Sequence, residues 1–208
     1  MHTIHSLING LDARMFSGDG QSSVLNIAEH TERVSQGSFF VARSGVRRDG
    51  AVFIEDAVHK GAVAILCTPE IAATLVHLPV VFVVSHDPTG AGAEIAERFY
   101  GNPSSKLKLV GVTGTNGKTT IGWMLRHLLL KSGMKCGLLG TVVCDDGVSQ
   151  EQSKLTTPSF CDTSRILHAM VENGCELAVM ECSSHALDQR RTCALTFEIG
   201  VFTNLSGD

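Results

Sequence analysis

A glycine-bearing turn between a buried strand and an amphipathic helix constrains the fold of this chain more than any other feature. The pattern predicts a strand over residues 107–113, the turn over 114–117 and a helix from 118 that Gly133 ends. The helix shows apolar residues at i, i+3, i+4, i+7 and i+8, namely Ile121, Met124, Leu125, Leu128 and Leu129. A buried strand that leads directly into a helix is typical of α/β folds with parallel strands.

Strands and helices alternate along the rest of the chain, after a short amphipathic opening. The patterns predict strands over 37–43, 62–67, 79–84, 136–143, 177–182 and 197–203, and helices over 51–60, 88–100 and 163–173. Such alternation requires crossover connections, and therefore a mainly parallel sheet. A Gly/Pro/Ser cluster at 101–105 is the best candidate for a linker. We therefore predict an α/β protein with two domains, residues 1–103 and 104–208.

Charge and composition exclude several classes of protein. The chain carries 17 Lys and Arg against 21 Asp and Glu, a net charge of −4, which argues against a nucleic-acid partner. Its apolar runs are far shorter than the roughly 20 residues of a membrane-spanning helix, and its N-terminus lacks the features of a secretory signal. Seven cysteines without a C-x-x-C pair indicate reduced thiols packed as small hydrophobic groups. We therefore expect a cytoplasmic protein without membrane insertion.

The turn itself has the composition of a phosphate-binding loop. Glycines such as Gly114 and Gly117 let backbone N–H groups surround a phosphate, and the following helix N-terminus favours negative charge. Lys118 is then placed to contact the β- and γ-phosphates, and Thr119 to bind Mg²⁺. Val112 stands where the usual pattern has a glycine, so the loop is a variant form. A glycine-rich turn without a ligand is the alternative, but the agreement of strand, turn and helix favours a site for ATP.

A carboxylate follows a second apolar strand. Glu181 ends the run Leu-Ala-Val-Met-Glu, and the carboxyl ends of parallel strands meet at the edge that carries the loop. A Mg²⁺ ligand and a solvated strand-end carboxylate are both compatible with this position. The following Ser183, Ser184 and His185 contain no G-x-S-x-G elbow, which disfavours a serine hydrolase.

Four segments together resemble the Mur ligase family: residues 111–120, 155–158, 180–191 and 201–206. Their order and spacing are similar to those of the members that add the third residue of the peptidoglycan stem peptide. The resemblance implies ATP-dependent amide synthesis, in which a substrate carboxylate attacks the γ-phosphate and an amine then attacks the acyl phosphate. It also implies UDP-N-acetylmuramoyl-dipeptide and an amino acid as partners.

The resemblance assigns roles to residues at matching positions. ATP binding falls to Gly114, Thr115, Asn116, Gly117, Lys118, Thr119 and Thr120. Lys118 and Glu181 are the expected catalytic residues, and Thr119 and Glu181 the expected Mg²⁺ ligands. Contacts to the muramoyl-peptide fall to Thr156, Thr157, Ser183, Gln189 and Arg191. A planar guanidinium suits a phosphate or carboxylate, although Arg191 without its motif would be interpreted as a solvated arginine.

The N-terminal part is similar to the family's UDP-binding domain over 37–45, 49–50 and 60–64. One departure is His30-Thr31-Glu32, where the family usually has Asp-Ser-Arg. This change keeps a hydroxyl at the middle position but exchanges the charges, so uridine-nucleotide affinity is expected to be weaker or differently arranged. Thr31, followed by the loop 46–48, is the expected contact to the UDP moiety.

Family members continue past the final motif with a His-Leu-Asp segment, a carbamylated lysine and a third domain that binds the amino acid. We therefore expect this chain to be the N-terminal part of a longer ligase, monomeric at full length, with little activity and an exposed sheet edge on its own. The sequence leaves open whether diaminopimelate or lysine is added. A stand-alone nucleotide-binding module is the main alternative, and a P-loop kinase is weaker because nothing resembles a lid or acceptor base.

Overall fold

The computed structural model describes residues 2–43 and 50–206. The chain divides into two compact units, residues 1–99 and 100–208, and each contains a sheet covered by helices. The predicted α/β class is confirmed. The assignment of a UDP-binding domain to 1–103 and of an ATP-binding domain to 104–208 stays a prediction.

The first unit begins with short strands and continues with strand–helix repeats. In chain order it contains β1 (His2–Thr3), α1 (Ile4–Ile8), β2 (Arg14–Ser17), β3 (Ser23–Val24), β4 (Asn26–Ala28), β5 (Ser38–Val41), α2 (Ile54–His59), β6 (Ala62–Cys67), α3 (Pro69–Leu75), β7 (Val81–Val84) and α4 (Pro88–Phe99).

The main sheet of the first unit has five strands in the order β2-β7-β6-β5-β4. Strands β4 to β7 pair in parallel, whereas β2 runs antiparallel to β7 at the edge. Phe40, Ile65 and Phe82 come from the three central strands and are at most 1% exposed. They share a core with Ile54 and Ala57, which lie three residues apart on one face of α2. The helical spacing in the sequence thus marks the face that is buried.

The second unit contains β8 (Lys108–Thr113), α5 (Lys118–Lys131), β9 (Cys136–Leu139), β10 (Val143–Asp145), β11 (Gln150–Gln152), α6 (Phe160–Glu172), β12 (Leu177–Glu181), α7 (Ser184–Asp188) and β13 (Ile199–Phe202). Its sheet has the order β11-β10-β9-β12-β8-β13, in which β9, β12, β8 and β13 are parallel. The carboxyl ends of these four strands therefore lie at one edge. At the end of the sheet, β13 exposes Ile199 and Phe202.

Two sequence predictions need correction. The predicted strand 136–143 ends at Leu139, because Gly140 starts a turn in which its N–H donates to the carbonyl of Val143 at 3.1 Å. The chain then returns as the antiparallel pair β10–β11. The opening that was expected to be a short amphipathic segment contains β1 to β4, which carry too few apolar residues to be recognised.

The cysteines lie mostly inside the two units, as expected. None of the seven forms a disulfide, and five are buried: Cys67, Cys136, Cys161, Cys175 and Cys182. Burial raises the pKa of the Cys67 thiol to about 12 and that of Cys182 to about 11. Across 2–43 and 50–206, the longest helices are too short or too polar to cross a bilayer.

Candidate active site

The predicted phosphate loop joins β8 to the N-terminus of α5. Gly117 is the N-cap of α5, with φ of +87° and no side chain that caps the helix. The first N–H groups of a helix have no intrahelical partner, so this end offers donors and a positive dipole to an anion. A Cβ built at Gly117 would meet no heavy atom within 4 Å, so there is open space beside the loop. The loop geometry therefore fits a phosphate group.

The side chain of Lys118 folds over the loop. Its Nζ donates to the carbonyls of Gly114 at 2.7 Å and Thr115 at 3.1 Å. An ammonium group has three donors, so these two hydrogen bonds leave one for a phosphate oxygen. The positive charge is thus held at the mouth of the loop.

Residues 203–206, which follow β13, hold the other side of the loop. The N–H of Thr115 donates to the Asn204 carbonyl at 3.0 Å, and the N–H of Asn116 donates to Asn204 Oδ1 at 3.1 Å. The Thr203 hydroxyl donates to the Asn116 carbonyl at 2.6 Å, and Ser206 N–H donates to Thr115 Oγ1 at 3.2 Å. The resemblance included this segment but gave it no role. It fixes the loop backbone and engages two N–H groups that were expected to face ATP.

Gly114 is required by the same packing. Its φ is +129°, and a Cβ at this position would lie 2.2 Å from Thr203 Oγ1 and 2.8 Å from the Asn204 carbonyl. The close approach of Thr203 and Asn204, just after β13, therefore accounts for this glycine at least as directly as a phosphate does.

Glu181 ends β12 and is 0% exposed, so the solvated alternative is wrong. Its Oε2 accepts hydrogen bonds from Thr119 Oγ1 at 2.8 Å and Thr141 Oγ1 at 2.9 Å, and its Oε1 accepts from Thr141 N–H at 3.0 Å. Sequence reasoning missed Thr141. The available signal was a polar residue directly after a buried strand at the same sheet edge.

The residues expected to bind the peptide substrate gather around the end of β12. The buried Thr157 hydroxyl donates to the Glu181 carbonyl at 2.8 Å and accepts from Ser183 N–H at 3.0 Å. Arg191 donates to the Thr157 carbonyl at 2.7 Å and to Gln189 Oε1 at 2.7 and 3.0 Å, so it is not a freely solvated arginine. The hydroxyl of Thr157 is fully engaged inside the protein. Substrate contact by these residues stays a prediction.

Of two further predicted contacts, Thr156 joins this group through Thr141, whereas Thr31 lies in the first unit. Thr156 is half-buried, with its Oγ1 3.1 Å from Thr141 Oγ1. In the first unit, Thr31 begins a 3-10 turn, and its carbonyl accepts a hydrogen bond from Lys60 Nζ at 3.2 Å. The loop 46–48 lies outside the described residues.

Thr119 and Glu181 fit the expected Mg²⁺ ion. They bring two hard oxygen donors together beside the phosphate loop, and Mg²⁺ is commonly bound by one or two protein oxygens, phosphates and water. Within the described residues no group of three or more His, Cys, Asp or Glu side chains is arranged to hold a metal. Thr119 and Glu181 would supply two protein oxygens to such a cation, and its binding stays a prediction.

A glycine-bearing loop between a parallel strand and a helix, with a buried carboxylate beside it, defines the P-loop class of α/β proteins. Residues 112–208 match the family described as the Mur ligase middle domain. Over these residues the chain is similar to the Mur ligases.

Two named relatives span almost all of this chain. It is 44% identical over 207 residues to the UDP-N-acetylmuramoyl-L-alanyl-D-glutamate--2,6-diaminopimelate ligase of Parabacteroides distasonis, covering 99% of this chain and 42% of that protein. The ligase of the same name from Clostridium perfringens is 36% identical over 205 residues. A solved structure of a ligase with this name superposes with a TM-score of 0.77 at 22% identity, which concerns the fold. The chain thus spans about two fifths of the length of these relatives.

Proposed function

We propose that this chain carries the ATP site and part of the muramoyl-peptide site of a ligase that adds an amino acid to UDP-N-acetylmuramoyl-L-alanyl-D-glutamate. One observation supports this most strongly. The Glu181 carboxylate contacts the phosphate-loop residue Thr119, while its backbone carbonyl contacts Thr157 of the predicted substrate segment. A residue that contacts both segments would hold ATP and the substrate close together, and phosphoryl transfer requires this proximity.

The proposed reaction has two steps. The substrate carboxylate attacks the γ-phosphorus of ATP, which releases ADP and forms an acyl phosphate. The amine of the incoming amino acid then attacks the acyl carbon, and phosphate leaves as the amide forms and the amine loses a proton. Lys118 stabilises charge on the transferred phosphoryl group, and the N–H groups at the N-terminus of α5 orient it. Mg²⁺ bound by Thr119 and Glu181 would neutralise phosphate charge.

The incoming amino acid is proposed from the relatives' names. Both named relatives add 2,6-diaminopimelate, and we propose the same substrate class here. Because the chain spans 42% of those proteins, we expect turnover in a protein of the relatives' length and nucleotide binding in the chain itself. The reduced, buried cysteines and the use of ATP fit a cytoplasmic location.

Calorimetric titration of the 208-residue chain with ATP and Mg²⁺ tests the nucleotide site. We expect binding by the native chain and loss of binding in Lys118→Ala, with unchanged circular dichroism. Arg165→Ala, on the exposed side of α6, is the matched charge control and should bind normally. Equal ATP affinity in Lys118→Ala would contradict the proposed site.

A second assay tests the ligase activity. In a protein of the relatives' length, ADP release should require both UDP-N-acetylmuramoyl-L-alanyl-D-glutamate and diaminopimelate. ATP binding without ADP release under any of these conditions would favour the stand-alone nucleotide-binding module. ADP release with a sugar or nucleoside hydroxyl as acceptor would favour a kinase.

A further inference from the structure

The turn after β9 forms a cradle for the Glu181 carboxylate. Gly140 and Thr141 approach so closely that a Cβ at Gly140 would lie 2.4 Å from Glu181 Oε1. The N–H of Thr141 donates to Oε1, and its hydroxyl lies 2.9 Å from Oε2. Both carboxylate oxygens are therefore held from the side of the turn. This contact fixes the rotation of the carboxylate as well as its position.

The Thr141 hydroxyl also contacts the predicted substrate segment. Its Oγ1 lies 3.1 Å from Thr156 Oγ1 as well as 2.9 Å from Glu181 Oε2. A hydroxyl carries one proton, so when Thr141 donates to the carboxylate it accepts from Thr156. The result is a continuous chain of hydrogen bonds from Thr156 through Thr141 to Glu181. On the side of the phosphate loop, Thr119 donates to the same carboxylate oxygen of Glu181.

We propose that Thr141 is a positioning residue that orients Glu181 toward the metal-binding side of the phosphate loop and links this carboxylate to Thr156. The proposal rests on the proposed function. An ionised carboxylate has about four acceptor positions, of which three are used by Thr119 and Thr141, so its remaining lone-pair direction is fixed. Hydrogen bonds that orient a metal ligand are typically worth about 10- to 100-fold in metal affinity.

Calorimetric titration with ATP, in Mg²⁺ and in EDTA, tests the proposal on the full chain. Thr141→Val keeps the N–H bond and removes the hydroxyl, so we expect about tenfold weaker binding of Mg-ATP and unchanged binding in EDTA. Thr141→Ser should restore Mg-ATP binding. Thr163→Val, which removes a buried hydroxyl without a partner among the described residues, should behave like the native chain.

The outcomes separate the two proposals. Failure of the native chain to bind ATP overturns the proposed function, whereas equal Mg-ATP affinity in Thr141→Val overturns the role of Thr141. Equal weakening in Mg²⁺ and EDTA also overturns it, because a general structural defect would act in both. If Thr141→Val fails to fold, Thr141→Ala serves as a second variant. It also removes the hydroxyl and keeps the N–H donor, so the same Mg²⁺-specific loss is expected.

A double-mutant cycle tests whether Thr141 acts through the carboxylate. In a Glu181→Gln background, Thr141→Val should change Mg-ATP affinity by less than about twofold, because the group it orients is already altered. A further tenfold loss in this background would show that Thr141 acts independently of Glu181 and would overturn the proposal.

Discussion

Replacing Thr157 by valine should lower the free energy of unfolding of the second unit by about 2–4 kcal/mol. The side chain is 0% exposed, and its hydroxyl bridges the Glu181 carbonyl at 2.8 Å and the Ser183 N–H at 3.0 Å. Valine has nearly the same shape, so the change removes two hydrogen bonds and leaves the buried Glu181 carbonyl and the half-buried Ser183 N–H without these partners. Each such loss costs about 1–2 kcal/mol.

The chain provides its own probe and control for this measurement. Trp123 on α5 is the single tryptophan, so its fluorescence during urea unfolding reports on the second unit. Thr163→Val alters another 0% exposed threonine of that unit, but its hydroxyl has no partner among the described residues. This control should be neutral or stabilising by up to about 1 kcal/mol. A Thr157→Val effect below about 0.5 kcal/mol, or an equal loss in both variants, would refute the reasoning.

Three further predictions concern packing inside each unit. Gly114→Ala, whose Cβ would lie 2.2 Å from Thr203 Oγ1, should destabilise by at least twice the roughly 1 kcal/mol expected for Gly117→Ala, as followed by tryptophan fluorescence. Arg126→Leu should lower the free energy of unfolding by about 3–5 kcal/mol, because Asp145, with a side chain 4% exposed, loses its ion-pair partner. An unchanged midpoint in urea unfolding would contradict this. Burial raises the pKa of Cys67 to about 12, so above pH 9 the unfolded thiol ionises first and the stability of the first unit falls by up to about 1.4 kcal/mol per pH unit. In urea unfolding followed by circular dichroism between pH 8 and 10.5, Cys67→Ala should have a shallower slope than the native chain, and an equal slope would contradict this.

Local sequence patterns were sufficient to predict the strands whose residues are mostly buried. The strand β6 was predicted at its observed bounds, Ala62–Cys67, because an uninterrupted apolar run between turn residues is typical of a strand buried on both faces of a parallel sheet. Strand β2, Arg14–Ser17, lies at a sheet edge and is held by its antiparallel pairing with β7. Its own residues carry no strong apolar pattern, so only the partner strand decides its structure.

The environment of Glu181 could not be predicted for a related reason. A carboxylate after an apolar strand is compatible with full exposure and with full burial. The outcome depends on Thr119 and Thr141, which lie 62 and 40 residues away in the chain. Likewise, Gly114 was recognised as a phosphate-loop glycine, yet a side chain there is excluded by Thr203, which lies 89 residues further along the chain.

The clamp of residues 203–206 on the phosphate loop has a consequence during synthesis of the protein. The hydrogen bonds to Thr115 and Asn116 join residues 87 to 91 positions apart, and the clamp also supplies the contacts around Gly114. At about 5–20 residues per second, a ribosome needs roughly 4–18 s between making the loop and making its clamp. During that interval the nascent second unit has its loop sequence but not its fixed loop geometry, so ATP binding should begin only after strand β13 has left the ribosome and docked.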